Sequence, residues 1–302
     1  MNICVVTVTF NRIDKLKKTL FAFSNSTSLP DTIIVVNNAS TDDTTIYLEE
    51  WESIREPFSK IVINLKENTG GAGGFNIGIL KALELGSDWI FIGDDDAYID
   101  KNTIKHFKER PEVNEAGIGA IACQVNSPDG IMYGHRRTIK KGVLFLNEKD
   151  SIEKNYQSDS FKIDLFSFVG VFLNVKYVEK IDLPRKDYFI WYDDTEYSSR
   201  LSKIAKVVCI PELKIYHDCQ IEEISFCWKS FYGYRNKLDT LKNIHGKRYC
   251  YSFLIALWVS SVLDIFTGKK LKSHTKSVAI NDFRNNRMGK NEKYMPGTFN
   301  MK

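Results

Sequence analysis

Three aspartates in a row, Asp94-Asp95-Asp96, follow directly on the apolar run Trp89-Ile90-Phe91-Ile92-Gly93. Carboxylates at i and i+2 at a strand end can reach one divalent cation and the phosphates it bridges. An acidic turn or helix cap, with Asp100 or Asn102 doing similar work, would use the same residues without a metal. A second acidic group, Trp191-Tyr192-Asp193-Asp194-Thr195-Glu196-Tyr197, packs three carboxylates into four residues, and Ser198-Ser199-Arg200-Leu201 continues with helical spacing. Acids in a first turn suit any helix. Carboxylates held among other acids and apolar rings also bind protons more tightly, as general-base work requires. The segment Asn68-Thr69-Gly70-Gly71-Ala72-Gly73-Gly74-Phe75-Asn76 sets four glycines at a strand-to-helix turn, where backbone can approach a phosphate or sugar closely. No Gly-Lys-Ser/Thr follows, so it is not a P-loop, and it succeeds the third strand rather than the first. A flexible loop is the plain alternative. His217, in Leu213-Lys214-Ile215-Tyr216-His217-Asp218 after a strand, is one of five histidines and taken alone reads as structural.

Such groups need a scaffold, and the first hundred residues predict one. Short β-branched runs alternate with amphipathic stretches in the order of βαβ units with a mostly parallel sheet. The expected elements are strand 3–9, helix 14–24, strand 32–36, helix 44–51, strand 60–65, a loop opened by 70–74, helix 75–85 and strand 89–93. Ligands of such sheets bind outside the carboxyl ends of the strands. The polar clusters fall there: Thr9-Phe10-Asn11-Arg12, residues 37–42, 68–74 and 94–96. Residues 103–220 read as α+β, with a helix at 103–110, strands at 119–124, 167–174 and 207–211, and a loop-rich stretch around 126–160. From Ser225 onward the period becomes helical, over 226–245 and 248–266, before a polar tail with little core-forming content.

Composition narrows the classes further. The 302 residues are 43% hydrophobic and 26% charged, with only 25 Gly plus Pro, which excludes disorder or a low-complexity scaffold for the whole. The net charge of +4 is a tail property: residues 267–302 hold nine Lys/Arg against two Asp/Glu, leaving the rest acidic. That argues for an anionic surface partner at the C-terminus and against a nucleic-acid binder. Six scattered cysteines without a CxxC pair predict a reducing compartment and no disulfide or zinc framework, and no leader precedes the first strand. The apolar stretch 249–266 is at the lower limit for a membrane span and is interrupted by Ser252, Ser260, Ser261 and Asp264, so it is not read as one. A broad face of Tyr249, Phe253, Leu254, Leu257, Trp258, Val262, Leu263 and Phe266, next to Lys269, Lys270 and Lys272, suits a peripheral anchor. Packing onto the catalytic part or a second subunit is the alternative.

Together these motifs resemble the inverting family-two glycosyltransferases with the GT-A fold. The resemblance covers residues 1 to about 240 and rests on Thr9-Phe10-Asn11-Arg12, Val36-Asn37-Asn38-Ala39-Ser40-Thr41-Asp42-Asp43-Thr44, Asp94 with Asp96, and Asp193-Asp194-Thr195-Glu196. The glycine segment, the motif at 191–197 and Tyr232-Gly233-Tyr234-Arg235-Asn236 look most like galactofuranosyltransferases using UDP-galactofuranose, with rhamnosyltransferases using dTDP-rhamnose close. The resemblance implies an α/β fold with a mostly parallel sheet flanked by helices, a catalytic domain over 1–224 (nucleotide-sugar half 1–100, acceptor half 101–224) and a helical extension over 225–302. It implies Asp194 as general base, and Mn²⁺ or Mg²⁺ held by Asp94, Asp96 and His217. Trp191, Asp193 and Glu196 would meet the acceptor, a glycan or lipid-linked glycan. The donor would meet Thr9, Arg12, Asn37, Asn38, Asp42, Asp95, Gly70, Gly71, Gly73, Gly74 and Phe75. Asn37 stands where many relatives carry a uracil-contacting Asp, and an amide can still bond that base edge. The setting implied is the cytoplasm, at the inner membrane face, with a homo-oligomer open. Two rivals remain: a non-catalytic nucleotide- or glycan-binding protein of this fold, and a nucleotidyltransferase, which would want a glycine-rich basic loop where Thr9-Phe10-Asn11-Arg12 stands.

Overall fold

The structure is a computed structural model that describes residues 1–219 and 226–298. The expected boundary at 224/225 lies outside the described residues. The first half runs β1 (Ile3–Thr9), α1 (Ile13–Ser24), β2 (Thr32–Asn37), α2 (Thr44–Ser53), β3 (Ser59–Asn64), α3 (Gly70–Glu84), β4 (Trp89–Asp94), β5 (Ala97–Ile99) and α4 (Thr103–Glu109). There follow β6 (Ile118–Ser127), β7 (Gly130–Ile131), β8 (Arg136–Lys141), β9 (Leu146–Asp150), β10 (Phe161–Ile163), β11 (Leu165–Phe166), β12 (Val171–Asn174), α5 (Val175–Val178), α6 (Asp193–Leu201) and β13 (Lys206–His217). The last described helices are α7 (Lys229–Thr240), α8 (Lys247–Phe266) and α9 (Lys270–Arg284).

The main sheet has the order β10-β13-β6-β12-β4-β1-β2-β3. Strands β3, β2, β1 and β4 are parallel, and β12 enters antiparallel between β4 and β6. Both faces of β1 are covered: Ile3 and Val5 pack into one core with Leu16, Leu20 and Phe23, while Cys4 and Val6 pack into the other with Ile79 and Tyr197. A strand buried on both faces reads as an unbroken apolar run, which is why Ile3-Cys4-Val5-Val6 was legible.

Four expectations change. Residues 70–74 are the first turns of α3, not a loop. A Cβ on Gly74 would lie 2.4 Å from Val8 Cγ1 and one on Gly78 2.3 Å from Val6 Cγ1, so these glycines let the helix press against β1. The stretch 126–160 contains a hairpin, β8 with β9, which forms a small sheet with β11. Its strands, Arg-Arg-Thr-Ile-Lys-Lys and Leu-Asn-Glu-Lys-Asp, carry almost no apolar alternation, which hid them. The strand expected to stop at 211 continues to His217, because the chain absorbs Pro211 at a register shift between Ile210 and Lys214. The tail also forms core: α9 packs on α7 and α8, and Tyr294 stacks on Phe231 with centroids 4.3 Å apart. Its buried residues are mostly polar (Ser273, Thr275, Lys276, Asp282), and its apolar contacts are confined to Val278, Ala279, Ile280 and Phe283, too short a run to mark a helix.

The α3–β1 contact makes a stability prediction. Alanine at Gly78 gains helix propensity of up to about 1 kcal/mol, yet its methyl overlaps Val6, and overpacking costs about 1–3 kcal/mol. Gly78→Ala should therefore lower the denaturation midpoint, and adding Val6→Ala should recover part of the loss beyond additivity in a double-mutant cycle.

Candidate functional site

The site sits at the carboxyl end of β1 and β4. Their register pairs Val8 with Asp94, which leaves Thr9 one residue further on, facing the turn at Asp95. Asp95 is buried, accepting from Thr9 Oγ1 at 2.7 Å and from Arg12 Nη1 at 3.3 Å, while its carbonyl accepts from Thr19 at 2.7 Å. Arg12 Nη1 also donates to Asp96 Oδ2 at 2.9 Å, and Lys15 Nζ does so at 3.3 Å. Strand β5 then pairs antiparallel with the end of β13, setting Ala97 opposite His217. This return brings His217 Nε2 to 3.1 Å from Asp96 Oδ1. One ligand atom from each of Asp94, Asp96 and His217 lies within 4.8 Å of the others. Burial and the Asp96 charge push Asp94 up to about 7. Burial would raise Asp96 too, but His217, Arg12 and Lys15 hold it down at about 2.

The second acidic group closes over the first. Phe189, Trp191 and Tyr192 all take positive φ (66°, 62° and 71°), a left-handed conformation that bulky residues rarely adopt. One buried amide holds this path: Asn236 Nδ2 lies 3.0, 3.1 and 2.8 Å from the carbonyls of Tyr188, Ile190 and Trp191. Arg235 supports Asn236, donating from Nε to Asn236 Oδ1 at 3.1 Å and from Nη1 to the Gly289 carbonyl at 2.7 Å. The Trp191 ring lies against Gly233, where a Cβ would come within 2.9 Å. Burial, with the charges of Asp194 and Asp94, pushes the Asp193 carboxyl well above the ordinary carboxylate range. Asp194 is half-buried, and its Oδ1 accepts from Thr195 N at 2.5 Å and Thr195 Oγ1 at 3.0 Å.

Several expected contacts turn inward instead. Glu196 is buried and gripped through both oxygens by Arg200, at 2.8 Å each. Asn37 is buried with its amide spent: Nδ2 donates to Thr45 Oγ1 and Asn64 Oδ1, and Oδ1 accepts from Ser40 N. The uracil contact expected of it is therefore filled by the chain itself. Asn38 likewise ties the loop before α3, bonding Thr69 N and the Gly70 carbonyl at 2.9 Å each. Thr9 and Asp95 face each other. Phe75 is core, edge-on to Phe168 at 5.0 Å. A Cβ on Gly70, at φ +74°, would strike the Phe189 carbonyl oxygen, which accepts from Ala72 N at 3.1 Å and so occupies the start of α3. Gly73 stands against the Thr69 side chain and Gly74 against Val8. What stays accessible on the donor side is half-exposed Arg12, half-buried Asp42, which accepts from Thr44 N, and Gly71, with nothing within 4 Å of its Cβ position.

The sequence reading missed a half-buried ion cluster beside Asp194. Glu148 on β9 accepts from Tyr192 Oη and Arg137 Nη1, and from Lys237 Nζ at 3.2 Å. Arg137 Nη2 in turn donates to Thr195 Oγ1 at 2.8 Å, so the hairpin orients the hydroxyl that orients Asp194. The only available signal was Gly142 between two short charged runs, a weak hairpin mark.

Comparison with known proteins follows the same geometry. The model of the family "Glycosyl transferase family 2" matches residues 4–182, more than half of the chain, ending before the acidic turn. The chain is 25% identical over 256 residues to galactofuranosyltransferase GlfT1 of Mycobacterium tuberculosis, covering 78% of this chain and 81% of that protein. Among solved structures, S. aureus TarS 1–349 in complex with UDP superposes with a TM-score of 0.57 at 14% identity, covering 95% of this chain and 90% of that one. Mannosyltransferase PcManGT from Pyrobaculum calidifontis, in complex with GDP-Man and Mn²⁺, gives 0.56 at 12% identity over 95% and 88%.

Removing the Asn236 amide should loosen the acidic turn. Asn236→Ala takes the side-chain donor from the Ile190 and Trp191 carbonyls, while that of Tyr188 keeps Ile190 N, and should cost about 1–3 kcal/mol, read from chemical denaturation. Asn236→Asp sets a second acceptor against the same carbonyls and should cost more than the alanine.

Proposed function

The chain belongs to glycosyl transferase family 2, and from that premise we propose that it moves galactofuranose, with inversion, from UDP-galactofuranose onto a glycan or lipid-linked glycan. The observation that carries the reading is the gathering of Asp94, Asp96 and His217, with Asp193 close enough to feel the charge of Asp94. The sugar rests on likeness: the GlfT1 relatives of Mycobacterium tuberculosis and the UDP held by TarS support the donor.

Two carboxylates and an imidazole are a donor set that suits Mn²⁺ or Mg²⁺, and the PcManGT complex holds Mn²⁺. In this reading Asp94, Asp96 and His217 would hold the ion, which would supply positive charge to a departing diphosphate. Arg12 and Lys15, already beside Asp96, add cationic charge on the same side. Asp194 takes the proton of the acceptor hydroxyl as its oxygen attacks the anomeric carbon and nucleoside diphosphate leaves from the opposite face. Thr195, held by Arg137, fixes the direction of that carboxylate. Asp193, whose proton is retained more strongly, removes a like charge from beside the base. Trp191, half-buried against Gly233, is the aromatic surface for an acceptor sugar. The six cysteines are unpaired thiols, which suits a cytoplasmic enzyme.

Asp194→Asn should keep donor binding and lose about 10²–10⁴ in transfer rate; wild-type turnover would remove Asp194 from the base role. EDTA should abolish transfer, and Mn²⁺ or Mg²⁺ should restore it; full activity in chelator would leave phosphate neutralisation to Arg12 and Lys15. In a panel of nucleotide sugars without acceptor, slow hydrolysis should be fastest for UDP-galactofuranose. Hydrolysis of dTDP-rhamnose alone would overturn the donor, and none at all would favour a binding protein.

A further inference from the structure

Helix α8 is built inside out. Its buried side carries Ser261 and Asp264, the helix's one acid. Lys276 of α9 meets Asp264 at 2.7 Å, with both side chains nearly buried, and also reaches Ser260 at 2.7 Å. Ser261 lies 3.0 Å from Ser273 Oγ and 3.1 Å from Ser277 Oγ. Three of the residues that interrupt the apolar stretch in sequence, Ser260, Ser261 and Asp264, therefore meet α9. The opposite side carries Tyr251, Ile255, Trp258, Val259, Leu263 and Phe266, spaced by three or four residues so that they form one stripe. All six are exposed, Trp258 by 61% and Phe266 by 83%.

A second exposed apolar group adjoins it. The tip of the β8–β9 hairpin is Val143-Leu144-Phe145, with Val143 exposed by 83%. Tyr249, at the start of α8, donates to the carbonyl of Gly142 at 3.1 Å, and Leu146 packs into the cluster around Tyr249, so the hairpin is fixed against the start of the helix. Basic residues frame it: exposed Lys140 and Lys141 before the tip, Lys247 and Arg248 at one end of the stripe, Lys269 and Lys270 at the other.

We propose that the α8 stripe and the hairpin tip together form a docking surface for an anionic lipid bilayer, with α8 lying along the interface and the tip inserted as a wedge. Apolar side chains framed by lysines, with Trp and Tyr among them, are the chemistry of that interface. The charges argue against a second copy: with cations at both ends of the stripe, two chains packed stripe to stripe in either direction set cation against cation. Spanning is excluded by α9, which lies along α8 with Lys270, Lys272, Asn281, Asp282 and Arg284 on it. The hairpin that carries the tip also carries Arg137 and Glu148 beside Asp194, so, on the proposed acceptor chemistry, a lipid-linked acceptor would reach the base without leaving the membrane.

The test uses the full chain, without donor or acceptor, so its outcome is independent of the donor reading. Co-sedimentation with vesicles of phosphatidylglycerol and phosphatidylcholine should exceed that with phosphatidylcholine alone by at least tenfold and should fall in high salt. The triple variants Val143→Ser, Leu144→Ser, Phe145→Ser and Trp258→Ser, Leu263→Ser, Phe266→Ser should each lose at least tenfold. Lys269→Glu with Lys270→Glu should lose binding to the anionic vesicles. Brominated lipid should quench the fluorescence that Trp258→Phe removes. Each variant should keep its thermal midpoint and its donor hydrolysis, which shows that it folds. Binding equal to wild type in both triple variants, no vesicle binding by the wild type, equal binding to both vesicle types, or conversion of an oligomer to a monomer by the apolar variants with vesicle binding intact would each overturn the proposal.

Discussion

Like-charge repulsion among buried carboxylates governs the top of this sheet. Asp94, Asp95 and Asp96 leave β4 side by side, and Asp193 is folded down towards them, in a region where water screens little. The compensation is divided by residue. Asp95 is satisfied by Thr9 and Arg12, Asp96 by Arg12, Lys15 and His217, and Asp193 by holding its proton more tightly. Asp94 is left with the least compensation, and burial raises it. The cationic side chains Arg12 and Lys15 gather on Asp96, the carboxylate that His217 also touches.

The sequence shows clearly what physical periodicity writes into it. The strand–helix alternation of the first hundred residues, the approach of Asp94 and Asp96 to a common point, and the aromatic-acidic turn at a helix start all follow from spacing alone. The elements that escaped bury many polar side chains: the β8–β9 hairpin and α9 add ion pairs and hydroxyl contacts to a few apolar ones, which leaves no clear 2.0 or 3.6 period. The glycine segment misled for a related reason. Glycine marks close approach but not what approaches: here a valine, a threonine side chain and a carbonyl stand against Gly74, Gly73 and Gly70. The asparagines at 37 and 38 misled in the same way, since a buried amide that bonds its own chain looks, in sequence, like one that bonds a ligand.

The C-terminal helices are therefore part of the site. Through Asn236 and Arg235, α7 holds the left-handed path of residues 189–192, and through the Phe189 carbonyl that path closes the start of α3. Lys237, one residue on, completes the ion cluster around Glu148. A strained segment persists only where its surroundings over-determine it, and here the surroundings come from α3, the hairpin and α7 at once. A division of the chain at the end of β13 would cut through this arrangement, whatever lies between 219 and 226.

The order of the clamp along the chain bears on how the protein is made. The acidic turn is complete at residue 196, but the amide that holds it is residue 236, and the arginine behind that amide is fixed by the carbonyl of Gly289. A ribosome delivers the parallel half first, and that half can settle on local and βαβ contacts. The turn must wait for some forty further residues to emerge before Asn236 can reach it, and for nearly a hundred before Arg235 is anchored. During that interval the nascent chain has its sheet but an unlocked acidic turn.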